Sequence, residues 1–435
     1  MLYVKTERTP GDDLVIRGAR VVDPVEGIDS VCDLRVDGGT VAGLGTNLEA
    51  NGHRVVESTG LVLAPAFVDP HVHLRVPGRE DEETIASGTA AAAAGGYCAI
   101  LAMPNTEPVV DSAAVLGSLI EDAQAEAEVP VGFLAAITRG QEGAELTEMA
   151  ELAEQGAAGF TDDGRPVVAP GLMRRALQYH AITGRRLALH CEEPTLSRGG
   201  QMHEGAVSAE LGFGGYPSVA ESVMVERDLA LAAFEQQPLH LLHLSARESI
   251  EALSRAQSAG LAATGEVTPH HLCLIDEAVR SLDPNVKMNP PLRSADDRAA
   301  LVNGLRDGTI ACVATDHAPH ARHEKEVPFE AAPFGVTGLE TSFAALYTHL
   351  VDPGLLQLET LIERMSAGPT RVYGLERPRV AVGAPANLVL LDTAATWRVD
   401  EGGFRSRSAN SWLLGQTLKG RVRMTVAAGS VVFDG

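Results

Sequence analysis

Two histidines and an arginine alternate at the end of an apolar stretch, "LAPAFVDPHVHLR", residues 63–75. A β-strand directs every second side chain to the same face, so His71, His73 and Arg75 would face the same way. Imidazole is a common metal ligand, and a guanidinium pairs with carboxylates. The spacing therefore predicts a metal or anion site, although a solvated strand end would show the same pattern.

Further polar residues follow other apolar runs along the chain. They are Asn105, Asp162, Asp163, His190, His243, His270, His271, Asp316, His317 and His320. Any one of the histidines alone would be an ordinary core or surface residue. If several of them converge on one place, a metal site becomes the better interpretation. Histidine and carboxylate ligands with one position left open for water form a hydrolytic metal site.

The elements that would position these groups alternate between two types. Strand-like runs cover residues 61–69, 97–105, 129–137, 157–163, 186–192, 239–245, 261–271 and 309–317. Helix-like segments lie between them, at 82–94, 143–155, 171–184 and 222–236 among others. Such alternation favours a parallel sheet, and eight units within about 250 residues predict an α/β fold, a (β/α)8 barrel. Catalytic groups of a barrel lie at the carboxyl ends of its strands, where the polar residues fall.

Both ends of the chain read as β-structure instead. Short alternating strands with glycine turns occupy the first sixty residues, and "GRVRMTVAAGSVVFDG" closes the chain at 420–435. We therefore predict a small composite β domain from residues 1–60 and 377–435, flanking a barrel formed by residues 61–376.

Composition excludes several classes of protein. A formal net charge of -23 argues against a nucleic-acid binder, but a local cluster of Arg and His could still bind a small anion. The five cysteines are scattered and mostly within apolar runs, as in proteins of a reducing compartment. No segment approaches the roughly 18 apolar residues of a membrane span, and the first residues lack the apolar core of a signal peptide. We expect a cytoplasmic protein with no membrane partner.

Eight segments resemble, in order, the dihydroorotases of the amidohydrolase superfamily. The two signatures are "DPHVHLRVP" (69–77) and "ATDHAPHARHEK" (314–325). Between and after them lie "FTDDG", "LALHCE", "LLHLS", "EVTPHH", "KMNPPLR" and "APFGVTGLE". The chain is most similar to the type that bridges two metals with an aspartate. Hydantoinases and allantoinases typically use a carboxylated lysine there, and no lysine occurs from 130 to 200.

The resemblance implies two divalent metal ions per chain, zinc first, with cobalt or manganese as alternatives. His71, His73 and Asp316 would hold one ion, and His190 and His243 the other. Asp163 would bridge the two ions, since it stands next to the glycine, although the choice between Asp162 and Asp163 stays open. An Asx turn ahead of Gly164, formed by one of the two, is the competing interpretation of this pair. A metal-bridged hydroxide would attack the ring, with Asp316 as general base and then acid.

The resemblance also implies a substrate site. Arg75, Asn105 and His320 would bind the substrate carboxylate, Asn289 would contact the ring, and Pro333, Phe334 and Gly335 would offer backbone groups. Competing readings are a helix N-cap for Asn105, a solvated charge for Arg75 and a mobile loop without a catalytic part at 320–338. His270 and His271 receive no role.

The implied function is the reversible hydrolysis of (S)-dihydroorotate to N-carbamoyl-L-aspartate in pyrimidine synthesis. One alternative is another cyclic amidase, acting on hydantoins, dihydropyrimidines or allantoin. A second is a non-catalytic relative that scaffolds aspartate carbamoyltransferase, although such a protein would be expected to have lost ligands. A homodimer and an association of the active enzyme with aspartate carbamoyltransferase are the partners to consider.

Overall fold

The computed structural model describes residues 1–6 and 12–435, so segment 7–11 of the predicted β domain lies outside the described residues. The strands, in chain order, are β1 (Leu14–Asp23), β2 (Ile28–Asp37), β3 (Thr40–Gly45), β4 (Arg54–Glu57), β5 (Val62–Pro65), β6 (Phe67–Val72), β7 (Tyr97–Ala102), β8 (Val131–Ala135), β9 (Gly159–Phe160), β10 (Arg186–Leu189), β11 (Met202–His203), β12 (Gly215–Tyr216), β13 (Leu239–Leu241), β14 (Ala263–Val267), β15 (Cys312–Val313), β16 (Leu388–Arg398), β17 (Thr417–Ala427) and β18 (Ser430–Asp434).

The helices lie mostly between the strands of the central region. They are α1 (Ile85–Ala94), α2 (Ala113–Glu126), α3 (Met149–Gln155), α4 (Pro170–Thr183), α5 (Pro194–Ser197), α6 (Ala206–Leu211), α7 (Val219–Glu235), α8 (Arg247–Ser258), α9 (Pro269–Cys273), α10 (Ala295–Asp307), α11 (Arg322–Lys325), α12 (Ser342–Leu346), α13 (Leu358–Met365) and α14 (Ala367–Tyr373). Within the described residues, no helix is long and apolar enough to cross a membrane.

Eight parallel strands form the barrel, in the order β6, β7, β8, β9, β10, β13, β14 and β15. A parallel bridge between Val72 and His317 brings the last strand back to the first. The His73 N–H donates to the His317 carbonyl across the same seam at 2.8 Å. The predicted (β/α)8 barrel is confirmed, and the carboxyl ends of its strands meet at one mouth.

The stretch 61–69, predicted as one strand, forms two. β5 pairs with β1 and β16 of the sheet built from the chain ends, and β6 starts the barrel against β7. The break falls at Ala66, whose N–H donates to the Asn387 carbonyl. An unbroken apolar run cannot reveal this change of sheet, because both strands are buried on both faces.

Strands from both chain ends form the second large sheet, as predicted. Its order is β18, β17, β16, β5, β1, β2 and β3, with β4 pairing β1. Leu14, Ile16, Leu34, Leu63 and Leu390 are among the side chains that build its own apolar core. The exact division at residues 60 and 377 stays a prediction.

Helix α1 shows how the barrel packs against the sheet formed by the chain ends. Thr84 caps it in a capping box with Ser87, and its alanine run buries Ala91, Ala92 and Ala93. Small side chains let this helix approach both β7 and the terminal strand β17. The barrel and the terminal sheet therefore share one continuous packed boundary.

A segment after β16 reaches from the terminal sheet to the barrel mouth. Ser406 and Arg407 donate to the Glu83 carboxylate from their hydroxyl and backbone N–H. The Asn410 amide donates to the carbonyls of Ala318 and Gly335. This segment therefore fixes two of the loops that border the candidate site.

Candidate metal centre and substrate cavity

Two strand ends bring the first group of predicted ligands together. His71 lies in β6, His73 follows it directly, and Asp316 follows β15. The Asp316 Oδ1 atom lies 3.4 Å from His71 Nε2 and 3.1 Å from His73 Nε2. Asp163 Oδ2 lies 3.7 Å and 3.5 Å from the same two nitrogens. Each of the two carboxylates thus lies close to both imidazole nitrogens.

A second group surrounds the other oxygen of Asp163. Asp163 Oδ1 lies 3.6 Å from His190 Nδ1 and 3.3 Å from His243 Nε2. The two ring nitrogens are 2.9 Å apart. His190 follows β10 and His243 follows β13. One carboxylate therefore turns an oxygen toward each of two clusters.

These separations suit a divalent cation. Zinc binds imidazole nitrogen and carboxylate oxygen at about 2.0–2.2 Å, so two ligands of a tetrahedral site lie about 3.3–3.5 Å apart. Separations of 3.1 to 3.7 Å in the first cluster bracket that value. The four carboxylate–imidazole separations therefore suit ligands that share one zinc ion.

Hydrogen-bond partners on the outer side of three of the histidines orient their rings toward the centre. The His71 Nδ1–H donates to Glu266 at 2.8 Å, and the His190 Nε2–H donates to Glu192 at 2.9 Å. The His73 Nδ1–H donates to the Asn105 carbonyl oxygen at 2.9 Å. His71 Nε2 is buried without a hydrogen-bond partner. With their outer nitrogens donating, these three rings present their inner nitrogens to the centre as potential ligands of a cation.

The electrostatics of the cluster agree with this donor set. Burial alone would raise the pKa values of Asp163 and Asp316, but His71 and the neighbouring imidazoles hold both well below the ordinary value. Burial alone would lower the pKa of His71, yet Asp163 and Asp316 raise it well above the ordinary value. The centre therefore favours ionised carboxylates and attracts positive charge.

The two adjacent aspartates serve different purposes. Asp162 accepts from the backbone N–H groups of Ile137 and Thr138 and from the Thr138 hydroxyl. Asp163 points to the histidines, and Gln141 donates to its carbonyl at 3.3 Å. The placement agrees with the choice of Asp163 as the bridging candidate, whereas the Asp162 side chain holds the segment after β8 and does not form the expected Asx turn.

A cavity of about 170 Å³ opens beside the histidine cluster. Its lining includes His73, Arg75, Asn105, Asp163, Gly164, His190, His243, Asn289, Asp316, Ala318, Phe334 and Gly335. Such a volume suits a small ring. A guanidinium and two amides on its wall provide polar contacts for an anionic ligand.

Some of the predicted substrate contacts have partners within the protein. The Arg75 Nε–H donates to the Pro319 carbonyl and lies 3.1 Å from Glu82. Asn105 borders the cavity but also holds His73 and donates to Asp163 at 3.4 Å. Neither of the two competing readings, a helix N-cap or a solvated charge, describes these environments.

His320 and Pro333 do not border the cavity. His320 lies behind Arg75, with its Nε2 atom 2.8 Å from the Phe334 carbonyl and its Nδ1 atom 3.0 Å from Glu82. The Pro333 carbonyl accepts from the Lys325 ammonium. Phe334 and Gly335 do line the cavity.

His270 and His271, placed at a strand end by the sequence pattern, lie on α9 instead. Thr268 caps this helix and Pro269 begins it. The His271 Nε2–H donates to the Pro290 carbonyl at 2.9 Å, next to Asn289. Burial lowers the pKa of His271 to about 3, so the ring is neutral. His271 thus supports the loop that carries Asn289.

Backbone strain concentrates at this mouth. Arg75, His243 and Asp316 have φ values of 61°, 29° and 48°, in the left-handed region that side chains disfavour. Such residues cost about 1–3 kcal/mol each and cluster at functional sites. Here three candidate site residues share that conformation.

Sequence reasoning missed the carboxylates behind the ligands. Glu266 joins His71 to His240, with the His240 Nε2 atom 2.9 Å away. Glu192 accepts from both His190 and the Asn289 amide. Their signal was a charged residue inside or directly after a strand that is otherwise apolar, where an unpaired carboxylate is costly.

Histidines and carboxylates clustered at the mouth of a barrel define the class, a metal-dependent hydrolase of the amidohydrolase type. Residues 60–249 match the family described as dihydro-orotase-like. A dihydroorotase from Geobacter metallireducens is 44% identical over 422 residues, covering 97% of this chain and 99% of the relative. A dihydroorotase from Caldanaerobacter subterraneus is 40% identical, covering 97% of each chain.

Solved structures match over the same length. An L-hydantoinase (dihydropyrimidinase) from Arthrobacter aurescens is 26% identical with a TM-score of 0.87, covering 97% of this chain and 96% of that chain. A dihydropyrimidinase from Brevibacillus agri, 22% identical with a TM-score of 0.83 and covering 97% and 95%, shares the fold. The chain belongs to the dihydroorotase family.

Proposed function

We propose that this protein is an enzyme that hydrolyses (S)-dihydroorotate to N-carbamoyl-L-aspartate and catalyses the reverse ring closure, in cytoplasmic pyrimidine synthesis. The observation that carries the proposal is one small cavity that joins the ionised ligand cluster to Arg75 and Asn289. The family membership supports the same reaction.

The chain's donor set fits two divalent cations, of which zinc suits imidazole and carboxylate ligands best. His71, His73 and Asp316 would hold one ion, His190 and His243 the other, and Asp163 would bridge them. Bound there, such ions lower the pKa of water and polarise the amide carbonyl. Glu266 and Glu192 fix the ring orientation of His71 and His190.

Asp316 performs the proton transfers in this scheme. As an ionised carboxylate at the cavity wall, it takes a proton from the attacking water while the ring carbonyl is attacked. It then returns the proton to the ring nitrogen as the carbon–nitrogen bond breaks. In the reverse direction the same group removes a proton from the carbamoyl nitrogen.

Arg75 is the counterion we assign to the substrate's carboxylate, since it is the arginine on the cavity wall. Asn289 would bind the ring amide, and the backbone of Phe334 and Gly335 would complete the contact. His320 would not contact the substrate but would hold Arg75 and the Phe334 carbonyl in place. Pro333 would contribute through its backbone carbonyl. These contacts separate dihydroorotate from hydantoins and allantoin, which carry no ring carboxylate. Association with a second copy or with aspartate carbamoyltransferase stays a prediction.

Metal removal and one variant test the proposal together. Protein stripped by a chelator should lose turnover of dihydroorotate and regain it with added zinc. Asp316→Asn should lower kcat by about 10²-fold or more, because it removes the proton acceptor. An unchanged rate in metal-free protein, or a near-normal kcat for Asp316→Asn, would refute the scheme.

A further inference from the structure

Two loops form one side of the substrate cavity. The loop after β14 carries Asn289, and the loop after β15 carries Phe334 and Gly335. These three residues border the cavity. How the two loops are held against each other therefore decides the shape of the site.

Lysine is rare in this chain and unevenly placed. It occurs at four positions, 5, 287, 325 and 419, against 31 arginines. Lys5 and Lys419 are partly exposed and pair with Glu128 and Asp352. Lys287 and Lys325 are 2% and 8% exposed. Neither has a carboxylate within 4.0 Å among the residues that the structure describes.

The Lys287 ammonium reaches from the first loop into the second. It donates to the carbonyls of Phe329 at 2.8 Å and Glu330 at 3.1 Å. It also lies 5.3 Å and 4.7 Å from the ring centroids of Phe329 and Phe334. The Gly335 N–H donates back to the Lys287 carbonyl at 2.9 Å.

The Lys325 ammonium makes the reciprocal link. It donates to the Pro284 carbonyl on the first loop at 3.0 Å and to the Pro333 carbonyl on its own loop at 2.8 Å. Each loop thus contributes one cation whose donors bind carbonyls of the other.

Three consecutive carbonyls next to the cavity are bound by side chains. Lys325 binds that of Pro333, His320 that of Phe334 and Asn410 that of Gly335. The Phe334 N–H, in contrast, has no partner among the described residues. A segment held by its carbonyls keeps this donor in place for a ligand.

We propose that Lys287 and Lys325 form a reciprocal lysine clamp, a pair of positioning residues that preform the substrate-binding surface of Asn289, Phe334 and Gly335. The expected effect of the clamp on KM rests on the proposed function, because it is measured with dihydroorotate as the substrate. A compact ammonium can donate to two carbonyls on different loops, whereas a planar guanidinium presents its donors in a fixed fork.

The cost of the arrangement supports a role beyond packing. A buried cation without a carboxylate partner lowers folding stability, and an apolar side chain of similar size would avoid the penalty. Burial accordingly lowers the pKa of Lys325 to about 7 and that of Lys287 to about 8. Hydrogen bonds from a charged donor are stronger than neutral ones, and this gain is directed at the carbonyls next to the cavity.

Kinetics of the metal-loaded enzyme test the clamp. K287M and K325M should raise KM for dihydroorotate about tenfold or more, with kcat changed less than about threefold and metal content unchanged. K419M, which removes a partly exposed lysine that does not line the cavity, is the control and should match the parent enzyme. Folded K287M and K325M variants with the parental KM would overturn the proposal.

Lysine reactivity tests the clamp without any substrate. Under acylation read by mass spectrometry, Lys5 and Lys419 should react much faster than Lys287 and Lys325. In K287M, Lys325 should become about tenfold more reactive, since its partner loop is released; continued protection would overturn the clamp. If the parent protein does not turn over dihydroorotate, the proposed function is refuted. The change in Lys325 reactivity in K287M would still test the clamp in that case.

Arginine variants cover the case in which methionine prevents folding. K287R and K325R retain the charge but replace the tetrahedral donor with a planar one. The clamp predicts a raised KM in both folded arginine variants. A normal KM in either would overturn the geometric argument.

Discussion

Glu266→Gln isolates the effect of the carboxylate that orients His71. Glu266 is completely buried, and its two oxygens accept from His71 Nδ1 at 2.8 Å and His240 Nε2 at 2.9 Å. Burial would raise its pKa, but these two imidazoles lower it to about 2, so the group is ionised. Glutamine keeps the shape and removes the charge.

The expected magnitude follows from the hydrogen bonds. The glutamine oxygen can still accept from His71, while its amide faces His240. That ring can switch tautomer, because Thr264 Oγ1 lies 2.8 Å from its Nδ1 atom. The fold should therefore persist, and His71 loses only the charge that makes it a stronger ligand. Losing such a partner typically weakens metal affinity about 10–100-fold, or about 1.4–2.7 kcal/mol.

A competition titration measures this change. Zinc is titrated against a chromophoric chelator with the parent protein, Glu266→Gln and the control Asp297→Asn. Asp297 is a buried carboxylate that completes the capping box of α10 with Ser294 and contacts none of the predicted ligands. The control should lose about 1 kcal/mol of folding stability and no zinc affinity. Parental affinity in folded Glu266→Gln would refute the reasoning about ligand orientation.

Three other changes give separate predictions. Asp163→Asn should lower bound zinc below two ions per chain, as measured by elemental analysis. Asp162→Asn should retain both ions and lose folding stability, because its hydrogen bonds to Thr138 are weakened. Equal metal loss in both variants would reject the division of roles between the two aspartates. Arg75→Lys should lower kcat/KM for dihydroorotate about 10–100-fold, because a point charge replaces a fork, and unchanged steady-state kinetics would reassign the carboxylate contact. The free energy of unfolding, measured in denaturant, should rise between about pH 7 and about pH 10, partly through Lys325. The reason is that the unfolded chain binds more protons than the folded chain in this pH range. K325M should show a smaller rise of the unfolding free energy with pH, and an identical rise would contradict the lowered pKa of Lys325.

Local periodicity predicts the barrel and the polar residues at its strand ends, whereas the choice of ligands among them rests on the family resemblance. Apolar runs that alternate with helical segments predict parallel strands, and polar residues at their ends must then meet at one mouth. His71, His190 and His243 meet there although they are distant along the chain. Residue type and position were sufficient for this inference.

Interactions between distant residues escaped prediction for a physical reason. Glu266 lies 195 positions from His71, and no local rule pairs a carboxylate with one imidazole among many. The same holds for Asn410 and the Gly335 carbonyl. The placement of His271 could have been predicted, since Thr268 and Pro269 are a helix N-cap and a first-turn proline.

The most direct test of the account compares three substrates with the metal-loaded protein under identical conditions. With dihydroorotate, hydantoin and allantoin, the account predicts that kcat/KM for dihydroorotate exceeds the other two values at least about 10²-fold. The reason is that only dihydroorotate places a carboxylate against the Arg75 guanidinium, an interaction that hydantoin and allantoin cannot make. Equal or faster turnover of hydantoin or allantoin would contradict the central claim.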